Sequence, residues 1–242
     1  MNKLSNFGYT KVTSKEKTKL VQKVFSEVAS NYDLMNDVMS FGTHRMWKRK
    51  FVDLINPIKG DKIIDVGSGS GDISKEIFNR NRDVKIDMID LNAEMLSLGR
   101  QKIKNNNINF YLANAEELNF KNNIYDKYLI SFCLRNITNT EKSLSEAFRI
   151  LKPGGKFFCL EFSRPESSII SKLYDKYKSI FLPLSGSIFA NNKDAYKYLS
   201  ESIDLFLDQK NLKNKLIHVG FTNVTYFNLF NGIVSVHTGY KV

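Results

Sequence analysis

The chain has 242 residues, 42% of them hydrophobic, which argues for a globular protein rather than a disordered one and fits one α/β domain with decoration. It carries 36 Lys and Arg against 25 Asp and Glu, and the net charge of +11 admits nucleic acid, an anionic membrane surface or an ordinary solvated face. Cys133 and Cys159 lie in apolar, strand-like runs and read as reduced core residues; no Cys/His cluster has metal spacing, no apolar run is long enough to span a membrane, and neither a signal core nor a transit peptide is expected at the N-terminus.

The first sixty residues hold eleven Lys and Arg against five acids and read as helical. Leu20, Val21, Val24, Phe25 and Val28 recur at helical spacing behind a cap at Ser14 or Thr18. Asn31-Tyr32-Asp33 ends that helix, and Gly42 breaks a second one before Arg45-Met46-Trp47-Lys48. Strands are then expected near 62–66, 84–90, 108–113, 126–132 and 156–162, and helices near 72–81, 93–105 and 140–151, with Lys152-Pro153-Gly154-Gly155 as a turn. This alternation predicts an α/β fold with a mostly parallel, doubly wound sheet whose strand C-termini carry the ligand along one edge. Regularity fails between Pro165 and Leu207, an insertion rich in aromatics: Tyr174, Tyr177, Phe181, Phe189, Tyr196, Tyr198 and Phe206. A helix near 208–218 and strands at 221–228 and 232–240 complete the sheet, the last strand antiparallel. The expected organisation is a single domain with an N-terminal helical cap (1–60), an α/β core (61–164), a helical insertion (165–207) and a closing helix with strands (208–242).

The most specific segment is Lys62-Ile63-Ile64-Asp65-Val66-Gly67-Ser68-Gly69-Ser70-Gly71-Asp72. A dinucleotide site needs Gly-x-Gly-x-x-Gly, so that pyrophosphate rests on a helix N-terminus. Here the third Gly comes one residue early, and Asp65 precedes the turn, where a carboxylate repels pyrophosphate. It suits a ligand with an ammonium group, met directly or through water. S-adenosylmethionine has that ammonium and a sulfonium and lacks phosphate. Asp90, 23 residues after Gly67, ends the next strand, where a carboxylate can accept both ribose hydroxyls. Its alternative role is to cap the helix near Ala93, for which Asn92 is better suited.

Strand ends nearby supply further candidates. Asn114 can bond adenine or simply shape its turn, and Ala115 is small where adenine must lie flat. Ser131 ends the fourth strand near the methionine part, or is a satisfied sheet-end hydroxyl. Arg135 leaves an apolar strand at the same edge, with a surface ion pair to Glu161 or Asp126 as the alternative. The Asx-Pro-Pro-aromatic turn of amino-group DNA methylases and the Pro-Cys of cytosine methylases are absent, which weakens both nucleic-acid readings.

Taken together the chain resembles the ubiquinone/menaquinone biosynthesis C-methyltransferase family over nearly its whole length. The marks are Phe7-Gly8-Tyr9, Val24-Phe25, Tyr32-Asp33-Leu34-Met35-Asn36-Asp37, Gly42-Thr43-His44-Arg45-Met46-Trp47-Lys48, Leu134-Arg135-Asn136, Leu151-Lys152-Pro153-Gly154-Gly155 and Leu160-Glu161-Phe162-Ser163. Further marks are Tyr196, Tyr198-Leu199-Ser200-Glu201-Ser202-Ile203, Gly232-Ile233-Val234, His237 and Gly239. The family usually has a second Gly and a Thr where this chain has Ser68 and Ser70; Cys133 replaces a common Gly and Leu207 an expected Pro.

The resemblance implies a Rossmann-like class I S-adenosylmethionine-dependent methyltransferase that moves a methyl to a ring carbon of a polyprenylated benzoquinol or demethylmenaquinol and releases S-adenosylhomocysteine. It implies cofactor contacts at Gly67, Ser70, Asp90, Asn114, Ala115 and Ser131, catalytic roles for Arg135, Asn136 and Tyr32, and no metal. A guanidinium is a poor base, so Arg135 is expected to stay charged, to stabilise developing phenolate and to orient a water, with Asn136 and Tyr32 fixing it. The expected setting is cytoplasmic. Contact with the anionic inner face of the membrane or with a quinone-synthesis complex, and a homodimer, are left open; no nucleic acid is expected. The rival readings are a methylase of another small aromatic or a sterol, and a non-catalytic subunit with the same fold.

Overall fold

In a computed structural model, which describes residues 4–181 and 193–242, the first element departs from the helical expectation. Gly8, at φ +54°, turns the chain so that Leu4–Phe7 (β1) and Thr10–Thr13 (β2) pair as an antiparallel hairpin. Four-residue strands are too short for apolar periodicity to announce them. Helix α1 (Ser14–Val28) follows, and its cap is Thr13, one residue ahead of the expected Ser14. Thr13 Oγ1 accepts from the Glu16 N–H at 3.3 Å while Glu16 accepts from the Thr13 N–H at 2.8 Å, a reciprocal capping box. Ala29–Asn31 tightens into a 3₁₀ turn, and α2 (Tyr32–Ser40) and α3 (His44–Ile55) are separated at Phe41 and Gly42, both in the left-handed region.

Seven strands form the main sheet: β3 (Lys62–Val66), β4 (Lys85–Asp90), β5 (Ile108–Leu112), β6 (Tyr125–Ser131), β7 (Leu151–Phe162), β8 (Thr222–Leu229) and β9 (Val234–Tyr240). Their order is β5-β4-β3-β6-β7-β9-β8; the first five are parallel and only β9 runs against its neighbours. Helices α4 (Asp72–Arg80), α5 (Ala93–Lys102), α6 (Thr140–Ile150), α7 (Ser168–Lys176), α8 (Lys193–Leu205) and α9 (Gln209–Val219) complete the described fold. Leu151 pairs with Tyr125 and Lys156 with Lys127, so the Lys152–Gly155 turn is absorbed into β7 as a bulge rather than preceding it.

Strand periodicity divides the core. Ile64, Val66, Tyr128, Ile130, Phe157 and Cys159 pack on one face with α6 and α9. Ile63, Leu129, Phe158, Leu160, Val234 and Val236 pack on the other with α3 and α4. Burial on both faces is what a central parallel sheet requires. Strand order reverses between β3 and β6, so a crevice opens at their C-terminal ends. A third cluster, with Val28, Met35 and Tyr196 at its centre, joins α1 and α2 to α8 above that crevice. The hairpin is tied to α8 as well: Phe7 stacks on Tyr198 at 4.3 Å, the Tyr9 N–H donates to Glu201 at 3.1 Å, and the Tyr9 hydroxyl donates to Asp204 at 2.7 Å. Phe189, one of the aromatics in the expected insertion, lies outside the described residues, as does the side chain of Phe181.

Candidate active site

The turn after β3 is built from glycines because side chains do not fit its backbone. Gly67, Gly69 and Gly71 have φ of +66°, +55° and +84°, and a Cβ on Gly67 would stand 2.2 Å from Cys133 Sγ. The Gly69 N–H donates to Asp90 Oδ2 and the Asn92 N–H to Asp90 Oδ1, both at 2.8 Å. Asp90 thus clamps the turn as well as ending β4, and each oxygen keeps a lone pair for a ligand. Burial pushes its carboxyl upward. Asn92, as expected, caps α5 through the Met95 N–H at 2.9 Å; its amide also donates to Gln22 O and Ser26 Oγ on α1, closing the cap over the crevice.

A cavity at this edge is lined by Gly67, Asp90, Asn114, Ala115 and Ser131, and also by Asn136 and Tyr32. Asn114 also serves as a turn residue, its Oδ1 accepting from the Glu116 N–H at 2.9 Å. Ser70 is not brought into this lining: its hydroxyl is buried and accepts from Lys102 Nζ at 3.2 Å. Asp65 is fully buried and accepts from Ser74 Oγ at 2.7 Å, and desolvation raises its carboxyl to about 6. Its Oδ1 has no partner among the described residues. These residues fit S-adenosylmethionine: a bare glycine backbone at Gly67 and Gly69 on the cavity wall, and Asp90 with lone pairs left for the ribose; Asp65, like Ser70, is outside the lining and carries its orphaned oxygen behind the turn.

A second cavity, of about 380 Å³, lies beside the first and is mostly apolar: Met35, Met39, Phe162, Leu173, Tyr174 and Ile203 are among its walls. Phe25, Tyr32 and Phe132 line both cavities. Tyr32, the first residue of α2, thus stands on the boundary, and burial pushes its hydroxyl up to about 12.

Arg135 lines the apolar cavity in a short 3₁₀ turn, Leu134–Asn136. Its Nη1 donates to Glu161 Oε1 and to Phe132 O, each at 2.7 Å, and its Nε to Ser202 Oγ at 3.3 Å. The ion pair with Glu161 is buried, with side chains 6% and 1% exposed, and not at the surface; Asp126 instead pairs with Lys152. Desolvation raises the Glu161 carboxyl and the Arg135 guanidinium opposes that rise. Nη2 has no hydrogen bond to the described residues. Asn136 touches Arg135 only indirectly, donating to the same Phe132 carbonyl at 3.4 Å, and its Oδ1 accepts from Tyr198 OH at 2.9 Å. Cys133 sits under the glycine turn, and burial raises its thiol, which keeps it out of thiolate chemistry. His237 is far from this work: it is buried on β9 and its Nε2 bonds Gln209 O at 2.9 Å.

Sequence reasoning missed Trp47, His44 and Phe132 as cavity walls and Glu161 as a buried counter-ion. The His44 and Trp47 spacing, one helical turn, was the available signal.

The profile of the ubiE/COQ5 methyltransferase family matches residues 11–241. The chain is 44% identical over 243 residues to the ubiquinone/menaquinone biosynthesis C-methyltransferase UbiE of Vibrio vulnificus strain YJ016, covering 98% of this chain and 93% of that protein. It is 44% identical over 246 residues to UbiE of Haemophilus ducreyi, covering 99% and 95%. Among solved structures, a Thermotoga maritima S-adenosylmethionine-dependent methyltransferase superposes with a TM-score of 0.65 at 18% identity, covering 92% of this chain and 100% of that one. A putative methyltransferase from Haloferax volcanii gives 0.66 at 15% identity, covering 89% and 96%; both likenesses show the fold. With its glycine cradle and paired cavities, the chain is a member of the ubiE/COQ5 methyltransferase family.

Proposed function

We propose that the apolar cavity takes the ring of a polyprenylated benzoquinol or demethylmenaquinol, which the chain methylates on carbon in ubiquinone/menaquinone biosynthesis. The observation that carries this is the pair of adjoining cavities, one with the residues of an S-adenosylmethionine site and one apolar with a single buried guanidinium. S-adenosylmethionine, when bound, supplies an electrophilic methyl on sulfur. Asp90 would hold the ribose hydroxyls, Asn114 and Ala115 the adenine, and Gly67 and Ser131 the methionine part. Ser70, with its hydroxyl on Lys102, would act by holding the turn. Phe25, Tyr32 and Phe132 keep water from the boundary, which favours in-line approach of the ring carbon. The free Nη2 edge of Arg135 would stabilise the developing phenolate, and the Phe132 carbonyl, gripped by Arg135 and Asn136 together, fixes its direction.

A volume of about 380 Å³ suits a ring and the start of a tail, not a long polyprenyl chain, so the tail must leave through the mouth. Phe41, Leu173 and Phe230, 70%, 63% and 46% exposed, line that cavity and also face outward. Exposed Lys172, Lys176 and Arg45 lie close to them in sequence. This mixture suits the anionic surface of a membrane, from which the tail would be drawn. No helix among the described residues is long and apolar enough to cross one.

The deciding experiment is the quinone profile of a methylase-deficient strain carrying this chain. Ring-methylated quinone is expected to return, and a profile still blocked at the demethylated quinol, with folded protein present, would refute the reading.

A further inference from the structure

Carbon methylation of a quinol has to dispose of a proton, and the apolar cavity offers few places for it. Its described walls contain no Asp, Glu or Cys. Arg135 is a cation already paired with Glu161. Burial pushes Tyr32, Tyr174, Tyr177 and Tyr198 upward, so these phenols hold their protons. Lys48 is in an ion pair with Asp72 at 2.6 Å. His44 is left, the one described wall residue whose ordinary pKa is near neutral.

The surroundings of His44 set its form. Its side chain is 7% exposed, and Nε2 lies 2.8 Å from Asp37 Oδ1. Arg45 bonds both oxygens of Asp37, at 3.0 and 2.7 Å, and holds that carboxyl down to about 2. An ionised carboxylate only accepts, so Nε2 carries the proton and Nδ1 keeps its lone pair. Burial and the positive charges of Lys48 and Arg45 lower the imidazolium, opposed by Asp37; Asp72 on α4 also faces the ring. Neutral imidazole is therefore the resting form. Its Nδ1 is buried and without a hydrogen-bond partner among the described residues.

One turn along α3, Trp47 repeats the pattern. Its ring lies among Phe132, Phe162 and Phe230, at 6.1, 6.1 and 5.8 Å, and its Nε1 is also buried without a described partner. An orphaned acceptor and an orphaned donor thus lie on one helix, in two residues that line one cavity; both atoms are covered at rest, so a hydroxyl that complements them must displace that cover. A phenol O–H donates to the first and accepts from the second.

We propose that the His44–Asp37 dyad is the proton acceptor for the quinol hydroxyl, with the Trp47 indole N–H holding the oxygen. This rests on the methylase reading above and adds residues to it. The O–H bond breaks, the proton goes to Nδ1, and the electron pair stays on oxygen. That pair is fed through the ring as the ring carbon takes the methyl, and the sulfur of the leaving thioether keeps the S–C pair. The displaced ring proton then goes to water, while imidazolium returns its proton to the ring oxygen. One proton is released to solvent per methyl moved, and His44 ends neutral, as it began.

The test uses the full chain, S-adenosylmethionine, a demethylated quinol with one isoprenyl unit, and a prenylated nitrophenol whose anion absorbs in the visible. His44→Gln keeps an amide N–H toward Asp37 and removes the Nδ1 base. It is expected to bind S-adenosylmethionine as wild type does, to lose about a hundredfold or more in kcat with little change in KM, and to stop ionising the nitrophenol. Trp47→Phe is expected to bind the neutral phenol but ionise it less. Trp47 is the chain's single tryptophan, so quenching of its fluorescence reports occupancy in wild type and H44Q. Unchanged kcat and an undiminished visible band in H44Q would overturn the dyad while leaving the methylase reading intact; absence of wild-type turnover would strike at that reading instead. Should H44Q fail to bind S-adenosylmethionine, the wild-type profile decides: kcat is expected to fall tenfold per pH unit below an inflection under 6.5, and a profile with no acid limb down to the pH at which the protein unfolds refutes the dyad.

Discussion

Arg135 and Glu161 show how a residue's neighbours redefine its chemistry. A guanidinium in water is a freely available cation; here it is 6% exposed, its charge met by Glu161 and its direction set by the Phe132 carbonyl. Arg135→Lys keeps the charge and loses the planar fork that reaches Glu161, Phe132 and Ser202 together, so kcat should fall about a hundredfold in a steady-state assay with S-adenosylmethionine affinity retained. Arg135→Ala should in addition destabilise the fold by about 3–5 kcal/mol, seen in urea unfolding, because it leaves Glu161 buried and unpaired. Asp65 makes the opposite case, a charge kept at a cost. Its folded carboxyl sits near 6 rather than the ordinary 3.8, so the folded state holds the proton more tightly than the unfolded chain. The associated stability is full below pH 4 and is lost as pH rises through 6, a penalty of about 3 kcal/mol at pH 8. Asp65→Asn should abolish that slope and, in calorimetry, stabilise the ligand-free protein at pH 8 but not at pH 4.

At the scale of elements, the glycine turn is where sequence and structure agree most closely. Three alternating glycines require a left-handed backbone, and all three have one. Gly67→Ala meets two obstacles, a φ of +66° and the Cys133 thiol 2.2 Å from the new Cβ. It should cost about 1–3 kcal/mol in thermal unfolding and abolish measurable S-adenosylmethionine binding. Cys133→Gly in the same chain should recover part of the stability, because it removes the collision and leaves the backbone strain. The Phe7-Gly8-Tyr9 motif was legible as a mark but not as an object. Only the fold shows that Gly8 turns a hairpin and that its neighbours grip Tyr198, Glu201 and Asp204 on a helix about 190 residues later.

For the molecule as a whole, the apolar cavity opens among exposed Phe41, Leu173 and Phe230, and its volume is too small for a long tail. Sedimentation with anionic vesicles should therefore carry the protein down at low salt and less so at high salt, and Phe41→Asp with Leu173→Asp should leave it in the supernatant while its S-adenosylmethionine affinity is unchanged. Wild-type protein that ignores such vesicles at low salt would exclude the docking face.

The strand and helix alternation, the glycine turn, Asp90 and the aromatic content could be read directly because each depends on short-range rules: a period of two, a period of 3.6, a backbone angle closed to side chains, a carboxylate a fixed distance along the chain. What the tertiary structure alone decided depends on distance through space. It paired Arg135 with Glu161 instead of leaving it to solvent, turned Ser70 toward Lys102, and set Tyr32 between two cavities. It also placed His44 and Trp47, distant in sequence from Arg135, in the wall of the same cavity, because burial and partnership are properties of packed surfaces that no local pattern encodes.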